Sequence, residues 1–219
     1  MVSRESLTEL FFRTFPDEFW KDALTDLLTC YKEADRFIRS RDLALDKQFA
    51  DWLHPYPRRG LIQSRLLKVV GRYSRRGINA KVESAKRGGG PYVIFEAGRF
   101  RLTESMINRV EELPRIACFR KQESAYNRSL FDEDDAADEG KTYYGVLAHL
   151  PHHKKDEPAA VRVKFPNDDY KGAFHVIDLK AKYKSVFEEK LVPEEKIQDP
   201  KIKLRKPKNE PKNPDGETT

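Results

Sequence analysis

The chain has 219 residues, of which 36% are charged and 38% apolar, and a formal net charge of +6. That leaves room for one domain of ordinary size with a tail, or for two small ones. No apolar run approaches the roughly 18 residues that a membrane-crossing helix needs. The two cysteines, Cys30 and Cys118, have no secretory leader ahead of them and fit free thiols in a reducing cytoplasm.

From Pro16-Asp17-Glu18 to residue 38 the pattern predicts an amphipathic helix, with Phe19, Ala23, Leu27, Cys30, Tyr31, Ala34 and Phe37 at helical spacing. A second helix is expected over Leu43–Leu53, with Leu45, Phe49 and Trp52 on one stripe, ending where Pro55 and Pro57 interrupt the ladder. A third is expected from Leu61 to Arg76, stopped by Gly77. The period then changes to extended: Ala80–Ala85 and Tyr92–Ala97 are strand-like runs joined by Lys86-Arg87-Gly88-Gly89-Gly90-Pro91, with a third at Arg99–Thr103. Helix, helix, helix and hairpin in that order is the layout of a winged helix-turn-helix domain.

Ser105–Leu113 reads as a connecting helix ended by Pro114. Residues 122–141 read as an exposed loop, because Asp132, Glu133, Asp134, Asp135, Asp138 and Glu139 have only alanine between them. Three further strands are expected at Thr142–Leu150, Ala159–Phe165 and Ala173–Tyr183, and a Lys- and Pro-rich tail follows from 189. The expected fold is α+β. N-terminal helices lead into a winged-helix-like domain over 1–114, an acidic linker spans 115–141, a small antiparallel sheet over 142–188 forms a second module or a β-extension of the first, and 189–219 is a disordered tail.

Between Tyr56 and Gly90 lie ten Lys or Arg residues against one acid, Glu83. A cationic segment of that density beside a glycine turn is a footprint for phosphate. On a helix, Arg65, Lys68, Arg72, Arg75 and Arg76 share an arc offset from the apolar stripe of Ile62, Leu66, Val69, Val70 and Tyr73. The expected nucleic-acid contacts are therefore Arg58, Arg59, Gln63, Ser64, Arg65, Lys68, Arg72, Arg75 and Arg76 on the helix, with Lys81, Lys86 and Arg87 on the wing. The function this points to is non-catalytic binding of nucleic acid, duplex DNA ahead of RNA, with the C-terminal strands serving dimerisation or partner contact. The bland reading is a solvated helix whose arginines pair with acids elsewhere in the fold. An acidic protein partner, or the 132–139 run docking back as a nucleic-acid mimic, would suit the same surface.

One catalytic alternative is present. Asp168 or Asp169 followed by Asp178-Leu179-Lys180 resembles the acid…acid-x-Lys pattern of PD-(D/E)xK nucleases, in which the acids hold Mg²⁺ and the lysine steadies the developing charge. The chain after Lys180 lacks the helix and strand that complete that core. His149, His152 and His153 lack further ligands at recognisable spacing, so no metal and no cofactor are expected. The basic stretch has no broad apolar face for lipid, so no membrane partner is expected either.

Overall fold

One parallel strand pairing in an otherwise antiparallel sheet organises the chain. The computed structural model describes residues 4–40, 43, 45–53, 55–85, 90–130, 142–152 and 156–188. Helices α1 (Arg4–Thr14), α2 (Asp17–Ile38), α3 (Lys47–Leu53) and α4 (Pro55–Tyr73) come first, followed by a 3-10 turn over Ser74–Arg76. Strands β1 (Ile78–Ser84), β2 (Pro91–Ala97) and β3 (Phe100–Met106) form one meander. Helix α5 (Cys118–Ser124) and a 3-10 stretch, Ala125–Leu130, lie within the crossover to a second meander of β4 (Tyr143–Pro151), β5 (Pro158–Pro166) and β6 (Ala173–Asp178). Short helices α6 (Leu179–Lys182) and α7 (Lys184–Glu188) close the described part. The sheet runs β1-β2-β3-β4-β5-β6, with β3 and β4 parallel and the other neighbours antiparallel.

The fold class is therefore α+β, N-terminal helices followed by a six-stranded sheet. Of the two outcomes left open for the C-terminal strands, a module of their own or a β-extension of the first, the extension is what forms: they pair with the first meander, Phe100 opposite Tyr143 through Met106 opposite His149. The expected wing is accordingly half of a larger sheet. Parallel strands cannot be joined by a tight turn. The chain between β3 and β4 is long because it must return to the start of the neighbouring strand.

One face of the sheet carries the main core. Leu7 and Phe11, one helical turn apart on α1, and Phe15 just past its end are buried, and Phe11 meets Phe100 of β3 and Phe165 of β5 edge-on with ring centroids at 5.3 and 5.9 Å. Phe11 also stacks on Trp20 of α2 at 5.4 Å. A single aromatic column thus ties both meanders to both helices. Gly145, midway along the seam, lets this core close: a Cβ there would stand 2.6 Å from Leu102 Cδ2 and 3.2 Å from Phe165 Cε1.

The crossover covers the opposite face. Phe119 stacks on Tyr92 at 3.9 Å, and Glu123 pairs with Arg101 at 3.0 Å. Asn127 takes the place of a missing strand neighbour: its Oδ1 accepts from the Tyr144 amide and its Nδ2 donates to the Tyr144 and Pro166 carbonyls. The buried Lys164 ammonium donates to the carbonyls of Val110 and Glu112. Loss of solvation lowers its pKa from the usual lysine range.

Four local expectations need correction. Residues 105–113 form no helix, since β3 runs to Met106 and its amide-rich end continues into Ile107, whose N–H donates to His149 O. The 122–130 part of the expected loop is helical or 3-10, although 131–141 lie outside the described residues. The last strand ends at Asp178, which caps α6 by accepting from the Ala181 amide. Helix α4 begins at Pro55 rather than Leu61, because both prolines sit in the first turn, where no N–H is required.

Two outcomes test this architecture. Gly145→Val, overpacking the seam, should lower stability by about 1–3 kcal/mol in urea unfolding. Burial raises the Tyr144 and Tyr170 phenols above the ordinary 10.0, Tyr170 to about 12. A raised folded pKa contributes stability that is intact below the unfolded value and lost as pH rises through the folded one. The denaturation midpoint should therefore hold up to about pH 10 and fall above it, with Tyr170→Phe flattening the decline.

Candidate functional site

Helix α4 carries most of the predicted contact residues, and its packing sorts them into three groups. Ile62, Leu66, Val69 and Val70 face the core. The flank toward α2 carries a ladder of ion pairs. Arg65 reaches Asp26 at 3.4 Å and bonds Glu33, Arg72 reaches Asp22 at 3.2 Å and Asp26 at 3.6 Å, and Arg76 reaches Glu18 at 3.6 Å. Tyr73 donates to Asp22 at 3.1 Å. Going down α2 corresponds to going up α4, so the helices are antiparallel and the rungs fix their register. The hydrogen bond to Glu33 is the main cause that raises the Arg65 pKa.

Two predicted contacts on α4, Arg58 and Gln63, turn toward the protein. Arg58 is 6% exposed, with its guanidinium 4.2 Å above the Tyr31 ring. Desolvation lowers its pKa, and no phosphate can reach it there. Gln63 donates to Glu104 Oε2 at 3.2 Å. Both were expected as surface contacts; both belong to a buried polar chain. Its centre is His149, whose Nε2 lies 2.6 Å from Glu104 Oε1 and whose Nδ1 lies 2.7 Å from the Tyr31 hydroxyl. Both ring nitrogens of His149 are thus engaged, one by a carboxylate and the other by a hydroxyl that can donate or accept. Burial raises the Tyr31 phenol and lifts the neighbouring Cys30 thiol to about 12. The chain Arg58, Tyr31, His149, Glu104, Gln63 links α2 and α4 to both strands of the seam. Its Glu104 and His149 side chains are 2% and 1% exposed, which closes it to a substrate.

The outer face of α4 differs. Gly60, Ser64, Lys68 and Gly71 are exposed and fall within one arc, and Arg75 continues it in the 3-10 turn. Among the described residues, Lys68 and Arg75 have no ion-pair partner. A Cβ on Gly60 or Gly71 would meet nothing within 4 Å, so packing does not call for either glycine. Arg59, also exposed, comes within 3.5 Å of the Pro91 carbonyl at the start of β2. Lys81 of β1 pairs with Glu83 at 3.0 Å and Glu96 at 3.5 Å. Lys86, Arg87 and the acidic run 132–139 lie outside the described residues.

The nuclease-like constellation does not assemble. Asp168 and Asp169 precede β6 and Asp178 ends it, so the strand separates them by roughly 17 Å at 3.3 Å per residue, far beyond ligands of one cation. Asp178 is engaged by Arg162 Nε at 3.1 Å, and Lys180 Nζ donates to Pro158 O at 2.8 Å. Among the described residues no three His, Cys, Asp or Glu side chains gather as a metal site. His152 lies just beyond β4, and His153 lies outside the described residues. The acidic stripe on α2 and the Glu104–His149–Tyr31 chain escaped the sequence reading. The first was legible, since Glu18, Asp22 and Asp26 recur every four residues. The second depends on residues 45 and 118 positions from His149.

Comparison of the chain with protein-family models, with curated proteins and with solved structures finds no match in any of the three.

Glu104→Ala leaves the buried His149 Nε2 and the half-buried Gln63 amide without their shared carboxylate and should cost about 2 kcal/mol in chemical denaturation. Tyr31→Phe, which removes one hydrogen bond to Nδ1, should cost less, about 1 kcal/mol.

Proposed function

We propose that the protein binds nucleic acid without cleaving it, duplex DNA ahead of RNA, along the outward arc of α4 and the adjoining β1–β2 hairpin. The observation that carries this reading is the pair of exposed glycines flanking Lys68. Glycine inside a helix costs about 1 kcal/mol relative to alanine, and neither Gly60 nor Gly71 is required by a neighbour. What they provide is an unobstructed helix backbone beside two cations that have no ion-pair partner among the described residues. A phosphodiester chain can approach such a surface closely. Helix followed by hairpin keeps the order of a winged helix, but the contact face moves away from the arginine flank. Arg65, Arg72 and Arg76 then support the helix from the side, and Arg59, Lys68 and Arg75 meet phosphates.

About three phosphates neutralised on a duplex give a log affinity against log salt slope of about −3. Fluorescence anisotropy of labelled duplex across a salt series reads this directly. Lys68→Ala with Arg75→Ala should flatten the slope by about 2 and leave thermal stability unchanged. Gly60→Ala with Gly71→Ala should raise the melting temperature and weaken binding. Absence of binding at low salt would refute the reading.

A further inference from the structure

The two edges of the sheet are built differently. β6 has six residues, shifts register at Phe165/Pro166 and turns at once into α6. β1 has seven residues in unbroken register with β2, from Ile78 opposite Ala97 to Ser84 opposite Pro91. Its other side has no strand neighbour among the described residues. Edge strands normally carry a proline, a bulge or an unpaired lysine that discourages pairing. β1 has no proline or bulge, and its one lysine, Lys81, is already ion-paired. At its midpoint Val82 is 55% exposed.

The sequence of this edge is complementary to itself. We infer that β1 pairs antiparallel with β1 of a second copy about a two-fold axis through Val82, joining two six-stranded sheets into one. In that register Lys81 stands opposite the partner's Glu83 and Glu83 opposite the partner's Lys81. Ala80 meets the partner's Ser84, and the two Val82 side chains cover each other on the opposite face. Cross-strand opposite charges stabilise a sheet and like charges directly opposite disfavour it. The two-fold converts one Lys-x-Glu spacing into two such pairs. The exposed N–H and C=O groups of both edges are satisfied at the same time. The contact is isologous, so it closes at the dimer and does not propagate into a fibre.

Charge reversal tests the register. Sedimentation velocity of the full chain at micromolar concentration should show twice the monomer mass. Lys81→Glu places only acids across the axis and Glu83→Lys only bases, so each variant alone should lose dimer affinity about tenfold or more. Mixed together, the two variants should recombine as a one-to-one heterodimer resolved by native mass spectrometry. A monomeric wild type, a dimer that persists in both variants, or a mixture that stays monomeric would each overturn the inference. Because either variant could perturb pairing with Glu96 or Tyr92, amide exchange of the unaltered chain provides a second measurement. β1 amides protected at high concentration should exchange faster on dilution, and exchange independent of concentration would also overturn it.

Discussion

The parallel junction of β3 and β4 is the constraint from which the remaining architecture follows. It divides the sheet into two meanders of equal strand number and forces a long return of chain between them. Parallel strands are stable when covered on both sides. Here α1, α2 and α4 cover one side, and α5 with the following 3-10 stretch covers the other. The junction is tied twice to its surroundings: Phe11 of α1 touches rings on both sides of it, and His149 of β4 is bonded to Glu104 of β3 and Tyr31 of α2. A buried polar chain stabilises little relative to apolar packing, but it tolerates only one alignment of its members. Slipping β4 by one residue would turn His149 to the other face and leave Glu104 and Tyr31 without their shared partner.

The ion-pair ladder between α2 and α4 governs how the charge of this protein should be read. Each rung is partly solvated, and exposed pairs contribute at most about 1 kcal/mol. Their joint effect is to set the register of two antiparallel helices and to neutralise the arginines most prominent in the sequence. Helix α4 therefore has an arginine side facing acids and a glycine-serine-lysine side facing solvent. Among the described residues, Lys68 and Arg75 on the second side have no ion-pair partner, whereas Arg65, Arg72 and Arg76 on the first each have one. Counting basic residues along the chain measures the sum of both sides, which overstates what a ligand meets.

Local rules were sufficient for much of the fold. The punctuation at Gly77 (φ 80°) and the apolar spacing of α2 as far as Ala34 appear in the structure as read, whereas Phe37 is 54% exposed and β5 is buried on both faces at Lys164. The four-residue apolar repeat of Leu7, Phe11 and Phe15 is equally plain in the sequence and marks a buried helix face. What no local pattern shows is pairing across distance. The second meander looks like an independent module because its strands alternate normally. Only the alignment of Phe100 to Met106 with Tyr143 to His149 makes it half of one sheet. The nuclease-like residues failed for a related reason, since a short motif specifies spacing along the chain and β6 extends that spacing into separation. The arginine ladder was foreseeable only by asking which helix α4 packs against.

Helix α4 and β1 are consecutive, joined by the four residues 74–77, in which the Gly77 amide donates to Ser74 O. So short a connection, with α4 also packed on β1 and β2, gives the helix no independent freedom relative to the strand. Whatever fixes the outer side of β1 consequently fixes the direction in which the Gly60, Lys68 and Arg75 face looks. A two-fold axis at Val82 would generate two such faces related by the symmetry that duplex DNA itself has about a dyad. The edge and the helix face are separable by experiment, since Lys81 and Glu83 lie on β1 while Lys68 and Arg75 lie outside it. Mechanically they are one unit, and a change at the edge is transmitted to the cationic face through a turn too short to absorb it.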